Sequence, residues 1–295
     1  MKRIKRLYVQ SLFTLASNSY LLGFFNGKIY RGGAKHICVP GLNCYSCPGA
    51  LGSCPIGAIQ TTLAGYQQRV SFYVIGFLSL MAAATGRLTC GWLCPFGLIQ
   101  ESLYRIPTKK FTHTKTPSGT PTPKSKFRYT KYLMLALMVF ILPAFIRNEV
   151  GLGNTWFCAY VCPAGTVEAA IPLLLTNAGL RAIIGWQFLW KAALAALVIT
   201  FSLFENRPFC KYACPLGAIY SLGNKAALFY LEVDHHTCIS CGKCQSVCPM
   251  NLDPVSELTS IECIRCGKCK EICPVTAISW QYSLSKTKKT EQITQ

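Results

Sequence analysis

Two cysteine runs of identical spacing dominate the C-terminal part of the chain. Cys238-Ile-Ser-Cys241-Gly-Lys-Cys244-Gln-Ser-Val-Cys248-Pro is followed by Cys263-Ile-Arg-Cys266-Gly-Lys-Cys269-Lys-Glu-Ile-Cys273-Pro. Each reads C-x2-C-x2-C-x3-C-P, a spacing that lays three thiolates around one face of a [4Fe–4S] cubane. Where two such runs occur together, the fourth cysteine of each serves the other cluster. The expected ligand sets are Cys238, Cys241, Cys244 and Cys273 for one cluster, and Cys263, Cys266, Cys269 and Cys248 for the other. Paired zinc knuckles are the alternative, but zinc sites usually lack the x3-C-P closure.

The rest of the 295 residues cannot be an ordinary soluble partner to that segment. Hydrophobic residues make up 51% and charged residues only 14%, a balance that points to a membrane protein. The formal charge of +19 suggests nucleic-acid binding until its placement is read. The cations lie in short segments flanking apolar runs, as they do where a membrane protein sets its orientation, so no nucleic-acid partner is expected. Each cluster bound by four thiolates would also carry a net charge of about −2.

Four apolar runs are candidate spans: Leu7–Phe25, Val70–Gly86, Tyr132–Ile146 with Pro143 inside it, and Ile183–Phe204 with Lys191 inside it. About 20 residues cross the hydrocarbon core, so the shorter runs need flanking residues or a tilt. Lys2, Arg3, Lys5 and Arg6 precede the first run, and the loop after the second is rich in Lys and Arg. Those segments are expected in the cytoplasm, which leaves both termini cytoplasmic in a multi-pass protein. The basic N-terminus lacks a small-residue cleavage site and is read as a retained span. Glu168 and Pro172 interrupt residues 163–180, which suits a re-entrant or interfacial helix better than a fifth span. The expected fold class is an α-helical membrane protein of four transmembrane helices with re-entrant or interfacial short helices, plus a small α+β ferredoxin domain with two clusters. The boundaries read as 1–222 for the membrane part, 223–282 for the two-cluster domain and 283–295 for a disordered polar tail. Residues 111–126, rich in Thr, Pro, Lys and Ser, read as a flexible loop.

Ten cysteines remain. Cys90-Gly-Trp-Leu-Cys94-Pro, Cys158-Ala-Tyr-Val-Cys162-Pro and Cys210-Lys-Tyr-Ala-Cys214-Pro share the pattern C-x3-C-P-x-Gly, and Cys44-Tyr-Ser-Cys47-Pro leading to Cys54-Pro-Ile-Gly is an altered copy with Cys38 upstream. A spacing of four puts both sulfurs on one helical face. Proline opens the following helix at no hydrogen-bond cost, and that helix's N-terminus favours thiolate. The four-span topology sorts Cys90, Cys94, Cys210 and Cys214 to the inner surface, enough for a further cubane or else a set of packed thiols. It sorts Cys38, Cys44, Cys47, Cys54, Cys158 and Cys162 to the outer surface, as a further cluster, redox thiols, disulfides or a Cu(I) site. One or two further [4Fe–4S] clusters are thus candidates beyond the C-terminal pair.

The motifs Cys90–Pro95, Cys210–Pro215, Cys238–Pro249 and Cys263–Pro274, with the four spans, resemble the NapH/NosR-type membrane ferredoxins. These are polyferredoxin subunits of periplasmic nitrate and nitrous-oxide reduction, and cytochrome oxidase assembly ferredoxins are related to them. The resemblance implies a bacterial inner-membrane iron–sulfur protein that passes electrons between quinol and an acceptor through cytoplasmic clusters, with redox proteins as partners and quinone as a candidate cofactor. The third C-x3-C-P motif at Cys158 and the thiols from Cys38 to Cys54 depart from that pattern. One-electron relay between a cytoplasmic donor or quinol and a membrane or extracytoplasmic acceptor is the expected function, as a component of an oxidoreductase system. An assembly or maturation factor that reduces a metal or a disulfide is the competing class, and an iron–sulfur sensor is a third. No residue stands out as catalytic in its own right.

His36, His113, His235 and His236 all lie outside the apolar runs, so the spans offer no axial pair for a haem. Lys191, close to Trp186 and Trp190, is expected to reach for the headgroups. Clusters at opposite faces of a core about 30 Å thick would leave a gap too wide for one fast electron hop, to be bridged by quinone, a partner or re-entrant segments.

Overall fold

A computed structural model describes residues 3–66, 71–108, 126–258 and 260–282. The loop expected at 111–126, all but its last residue, and the tail expected at 283–295 lie outside the described residues. Eight helices organise the membrane part: α1 (Arg3–Ser17), α2 (Pro55–Ala64), α3 (Phe72–Ala84), α4 (Pro95–Tyr104), α5 (Phe127–Phe145), α6 (Gly165–Thr176), α7 (Trp186–Phe204) and α8 (Pro215–Gly223).

Helices α1, α3, α5 and α7 run between the same two ends, alternately up and down. At one end Arg6 of α1 bonds Gly91 O, Leu228 N bonds Ala83 O near the end of α3, Lys131 of α5 meets Glu262, and Thr108 Oγ1 bonds Leu203 O of α7. At the other end Leu51 N bonds Ser17 O, Tyr73 lies against Cys38, Gly153 packs on Pro143, and Gln187 donates to Ala159 O. Between them lie α2, α4, α6 and α8, which follow the Cys-Pro motifs. Helix α4 packs on α1 and α7, and α8 packs on α3 and α5.

Among the described residues only α5 and α7 are long and apolar enough to cross a membrane, and both leave most of their surface uncovered. Phe140, Phe145, Leu189, Leu197 and Phe201 are among their exposed side chains. The four-span expectation is therefore not met by length alone. The run 70–86 yields the 13-residue α3, about 20 Å long, short of the roughly 30 Å core. Leu7–Phe25 is not one helix: α1 ends at Ser17 and a separate turn covers Leu22–Asn26. Asn18 Nδ2 donates to Thr14 O, and Tyr20 N leaves the helical ladder for Gly49 O, so polar side chains compete with helix continuation. Helix α1 is amphipathic, with Arg6 and Gln10 buried while Leu12 and Leu15 face outward.

Proline shapes the other runs. In α5 the turns over Leu135–Ile141 widen to i→i+5 ahead of Pro143, and in α6 those over Gly165–Ala170 widen ahead of Pro172. A missing N–H and a ring against the preceding turn account for both. Within segment 163–180 the helix α6 stops at Thr176, packs on Leu22–Asn26 and is by itself too short to cross a membrane, and a further helical turn begins at Ala178.

In the C-terminal segment β1 (Phe229–Val233) pairs antiparallel with β2 (Ile278–Tyr282), Leu231 opposite Trp280. Leu231, Val233 and Ile278 bury one face against Leu258 and Cys269. Both cysteine runs are thereby held between the strands.

Candidate metal centres

In both C-terminal runs the residues flanking the second cysteine are left-handed: Ser240 and Gly242 (φ 52° and 69°), then Arg265 and Gly267 (φ 48° and 78°). Non-glycine residues seldom adopt this conformation; here it curls each loop around a cavity. Cys238, Cys241, Cys244 and Cys273 line one cavity of about 370 Å3, its open mouth included, with Val233 and Ile278. Cys248, Cys263, Cys266 and Cys269 line a second of about 380 Å3 with Leu231, Leu252 and Ile264. Each cavity takes three sulfurs from one run and one from the other. Leu252 N (3.5 Å) and Arg265 N (3.4 Å) donate to the sulfurs of Cys248 and Cys263. Cys241 is exposed, whereas Cys266 and Cys269 are buried, so the first cavity faces solvent and the second faces the helices. Among the described residues no three potential ligands converge on a point as a single metal ion requires; the sulfurs ring a space instead. Burial pushes the Cys248 thiol up to about 11 and Cys263 up to about 12, so the positive charge of bound metal has to supply the cost of ionising them.

The membrane cysteines are organised by one repeated element. Cys54, Cys94, Cys162 and Cys214 all hold extended backbone, φ between −78° and −66°, directly before a proline that starts a helix. Gly97 N and Gly217 N donate to the Cys94 and Cys214 sulfurs at 3.4 Å, and Gly57 and Gly165 hold the same place in the sequence after Cys54 and Cys162. At Cys94 and Cys214 a helix N-terminus thus directs an N–H at the sulfur.

Cys90, Cys94, Cys210 and Cys214 come together as one buried set. Gln100 clamps it: its Nε2 donates to Cys210 Sγ (3.3 Å) and its Oε1 accepts from Phe209 N (3.2 Å). Two fully buried arginines cross over this set reciprocally. Arg87, three residues before Cys90, donates to Cys210 O (3.2 Å); Arg207, three before Cys210, donates to Cys90 O. Arg87 also meets Glu262 at 2.6 Å, together with Lys131. Arg207 meets Glu101, as do Arg6 and Lys268. Burial raises the Glu101 carboxyl, but Arg207, Lys268 and Arg6 outweigh it and hold its pKa at about 2. Arg207 also lies within electrostatic reach of Cys266, and Gly91 touches Ile264. The buried C-terminal cavity therefore abuts this set.

The six cysteines assigned to the outer surface divide. Cys44, Cys54, Cys158 and Cys162 gather, while Cys47 packs with Ala50 and Ala169, with Cys44 against the same group, and turns its sulfur to Asn18, and Cys38 bridges to Ser53. None of the eighteen cysteines is joined in a disulfide. His36 is exposed while neighbouring Cys38 is buried. Lys191 does not reach for headgroups: its ammonium donates to Cys158 O at 3.0 Å.

The inner and outer thiols are not held apart. Cys38 and Cys54 share one buried cluster with Leu42, Cys90, Cys94, Cys162 and Cys214, and Gly41 packs directly on the Cys94 backbone. Tyr220, fully buried and donating to Pro40 O at 2.9 Å, stands among Cys90, Cys94, Cys54 and Cys38. Helices α2 and α4, lying between the four longer helices, bring both sets into one buried core.

Sequence reasoning missed Gln60, Gln100, Glu168, Tyr220, Arg87 and Arg207. Alignment of the four Cys-Pro-x-Gly segments would have shown that the sixth residue after each cysteine is polar or phenolic. The arginines share the position three before their motif.

Two copies of a family described as "4Fe-4S binding domain" match residues 70–113 and 130–173, and a "4Fe-4S dicluster domain" matches residues 208–252. The uncharacterized protein MJ0750 of Methanocaldococcus jannaschii is 31% identical over 205 residues, 68% of this chain and 74% of its own. The putative electron transport protein YccM of Escherichia coli is 27% identical over 65% of this chain and 47% of its own. The regulatory protein NosR of Pseudomonas aeruginosa is 30% identical over 48% of this chain and 17% of its own. No solved structure matches the chain.

Proposed function

Because the chain belongs to the NapH/NosR-type family of membrane-associated [4Fe–4S] electron-transport ferredoxins, we propose that it relays single electrons between a soluble cytoplasmic donor or quinol and a membrane or extracytoplasmic acceptor. The observation that carries this reading is the succession of sulfur-ringed sites, from the exposed Cys241 cavity, through the Cys248 cavity, to the buried set at Cys90 and Cys210. The donor sets fit cubanes: all ligands are thiols, and they ring cavities with no tight single-ion geometry among the described residues. When bound, such a cluster supplies a one-electron site whose potential is set by charge, hydrogen bonds and exposure.

The protein's own groups provide those levers. Cys238, Cys241, Cys244 and Cys273 would hold the outermost cluster, Cys248, Cys263, Cys266 and Cys269 the next, and Cys90, Cys94, Cys210 and Cys214 a third within the helices. Arg87 and Arg207 offset negative charge at the third site, and the amide of Gln100 donates to one of its sulfurs. Phe96, Phe209 and Tyr220 keep water from it. Helices α1, α3, α5 and α7 would cross a cytoplasmic membrane with both termini inside. The alternating course of those helices and the exposed apolar faces of α5 and α7 support that anchoring, and the lysine-rich segment after α4 fits an inner location.

Proteoliposomes test this. With dithionite-reduced viologen outside and an impermeant oxidant trapped inside, the wild-type chain is expected to carry electrons inward, and Cys90→Ser/Cys210→Ser is expected to lose most of that flux. Equal flux in the two proteins would remove the membrane site from the path.

A further inference from the structure

We infer that Cys44, Cys54, Cys158 and Cys162 form a second thiolate site for a [4Fe–4S] cluster among the helices, built on the plan of the Cys90/Cys94/Cys210/Cys214 site, with Cys38 and Cys47 outside it. The inference rests on the relay reading above and extends it to thiols that the local motifs do not pair.

The argument is a correspondence of parts. In each site a Cys-Pro-x-Gly helix carries a glutamine six residues after its cysteine. Gln100 reaches from α4 to the Phe209–Cys210 pair; Gln60 reaches from α2 to the Phe157–Cys158 pair, with Nε2 3.3 Å from Cys158 Sγ and Oε1 accepting from Phe157 N at 2.9 Å. The same two bonds recur at nearly the same lengths. The second helix of each site answers from its own sixth position. Tyr220 of α8 bonds Pro40 O, and Glu168 of α6 accepts from Cys44 N at 2.9 Å. A cation sits on the first cysteine carbonyl of the later pair in both: Arg87 on Cys210 O and Lys191 on Cys158 O.

Close packing brings the two pairs together. A side chain at Gly57 would lie 3.9 Å from Cys158 Sγ, and one at Gly165 would lie 3.7 Å from Cys44 Sγ. Those two sulfurs therefore rest at van der Waals distance over the glycine of the opposite pair's Cys-Pro-x-Gly turn. Cys47 and Cys38 lack this placement. The two family matches over 70–113 and 130–173 each contain one C-x3-C-P pair, Cys90/Cys94 in the first and Cys158/Cys162 in the second. Cys54 and Cys162 share one buried cluster with Leu42, Cys90, Cys94 and Cys214, which makes the two sites neighbours.

Iron and acid-labile sulfide in the full chain, purified anaerobically in detergent, test the inference. At four irons per cubane the wild type is expected to hold about 16 irons. Single Cys54→Ser and single Cys158→Ser variants, altered on separate helices, should each fall to about 12, and Cys38→Ser/Cys47→Ser should stay at about 16. Unchanged circular dichroism and elution volume establish that the variants fold. Unchanged iron in Cys54→Ser and Cys158→Ser, or a loss of about four irons in Cys38→Ser/Cys47→Ser, overturns the site. If the wild type holds about 12 and Cys90→Ser/Cys210→Ser about 8, this site fails while the relay reading stands. If both hold about 8, both readings of the membrane part fail.

Discussion

Replacing Glu262 with Gln strands two cations with no water to receive them. Glu262 Oε2 accepts from Arg87 Nη1 at 2.6 Å, and its two oxygens accept from Lys131 Nζ at 2.5 and 2.6 Å, with both cations fully buried. Removing one partner of a buried ion pair costs about 3–5 kcal/mol, because the remaining charge stays desolvated. Two stranded cations push toward the upper end. The bonds that Arg87 keeps to Glu262 O and Cys210 O pull the other way. A loss of about 3–4 kcal/mol follows, which is a factor of a few hundred in the unfolding equilibrium at about 1.4 kcal/mol per decade. Anaerobic thermal unfolding in detergent, followed by circular dichroism at one scan rate, should show the midpoint lowered by roughly 6–16 °C for a chain of this size. Adding Lys131→Met to Glu262→Gln removes one stranded charge and should restore part of the loss. A Glu262→Gln change below about 0.5 kcal/mol, the range of ordinary surface substitutions, would refute the claim that this acid ties the C-terminal segment to the helices.

Gln100→Leu removes the 3.3 Å donor to Cys210 Sγ; with iron content unchanged, one cluster should titrate at a more negative potential in an EPR redox titration. Cys248→Ser and Cys269→Ser, though in different runs, line the same cavity and should abolish the same EPR signal, while Cys273→Ser abolishes the other. Glu101→Gln should destabilise the protein at neutral pH and progressively less in acid. The Glu101 pKa of about 2 lies below the ordinary carboxyl value, so its contribution of about 3 kcal/mol is complete above pH 4.5 and disappears as pH falls toward 2. The gap between the melting curves of variant and wild type should therefore narrow by roughly a third between pH 6 and pH 3.5, without closing.

The C-terminal sites were legible because their ligands are local. A C-x2-C-x2-C run has one way to face its sulfurs inward, and the two groupings that its spacing suggests are those that line the two cavities. The membrane sites were not legible to the same degree. Their cysteines come from segments as far apart as Cys44 and Cys214, and proximity among them is decided by which Cys-Pro helices face each other. The expected topology grouped Cys90, Cys94, Cys210 and Cys214, and the structure brings these four together. It could not separate Cys38 and Cys47 from Cys44 and Cys54, nor show that the two sets share one buried cluster. The first span misled for a different reason: hydropathy counts Leu7–Phe25 as apolar, whereas Gln10 donates to Cys94 O and Asn18 turns back on Thr14. Lys191 likewise looked interfacial until the carbonyl of Cys158 appeared within its reach.

Mössbauer spectroscopy of the chain grown on 57Fe and purified without oxygen tests the central claim most directly. Cysteine-ringed cavities holding cubanes predict that essentially all bound iron appears as the valence-delocalised pairs of [4Fe–4S]2+ centres. Iron in isolated high-spin sites, or cavities filled by zinc with no iron in them, would contradict the account.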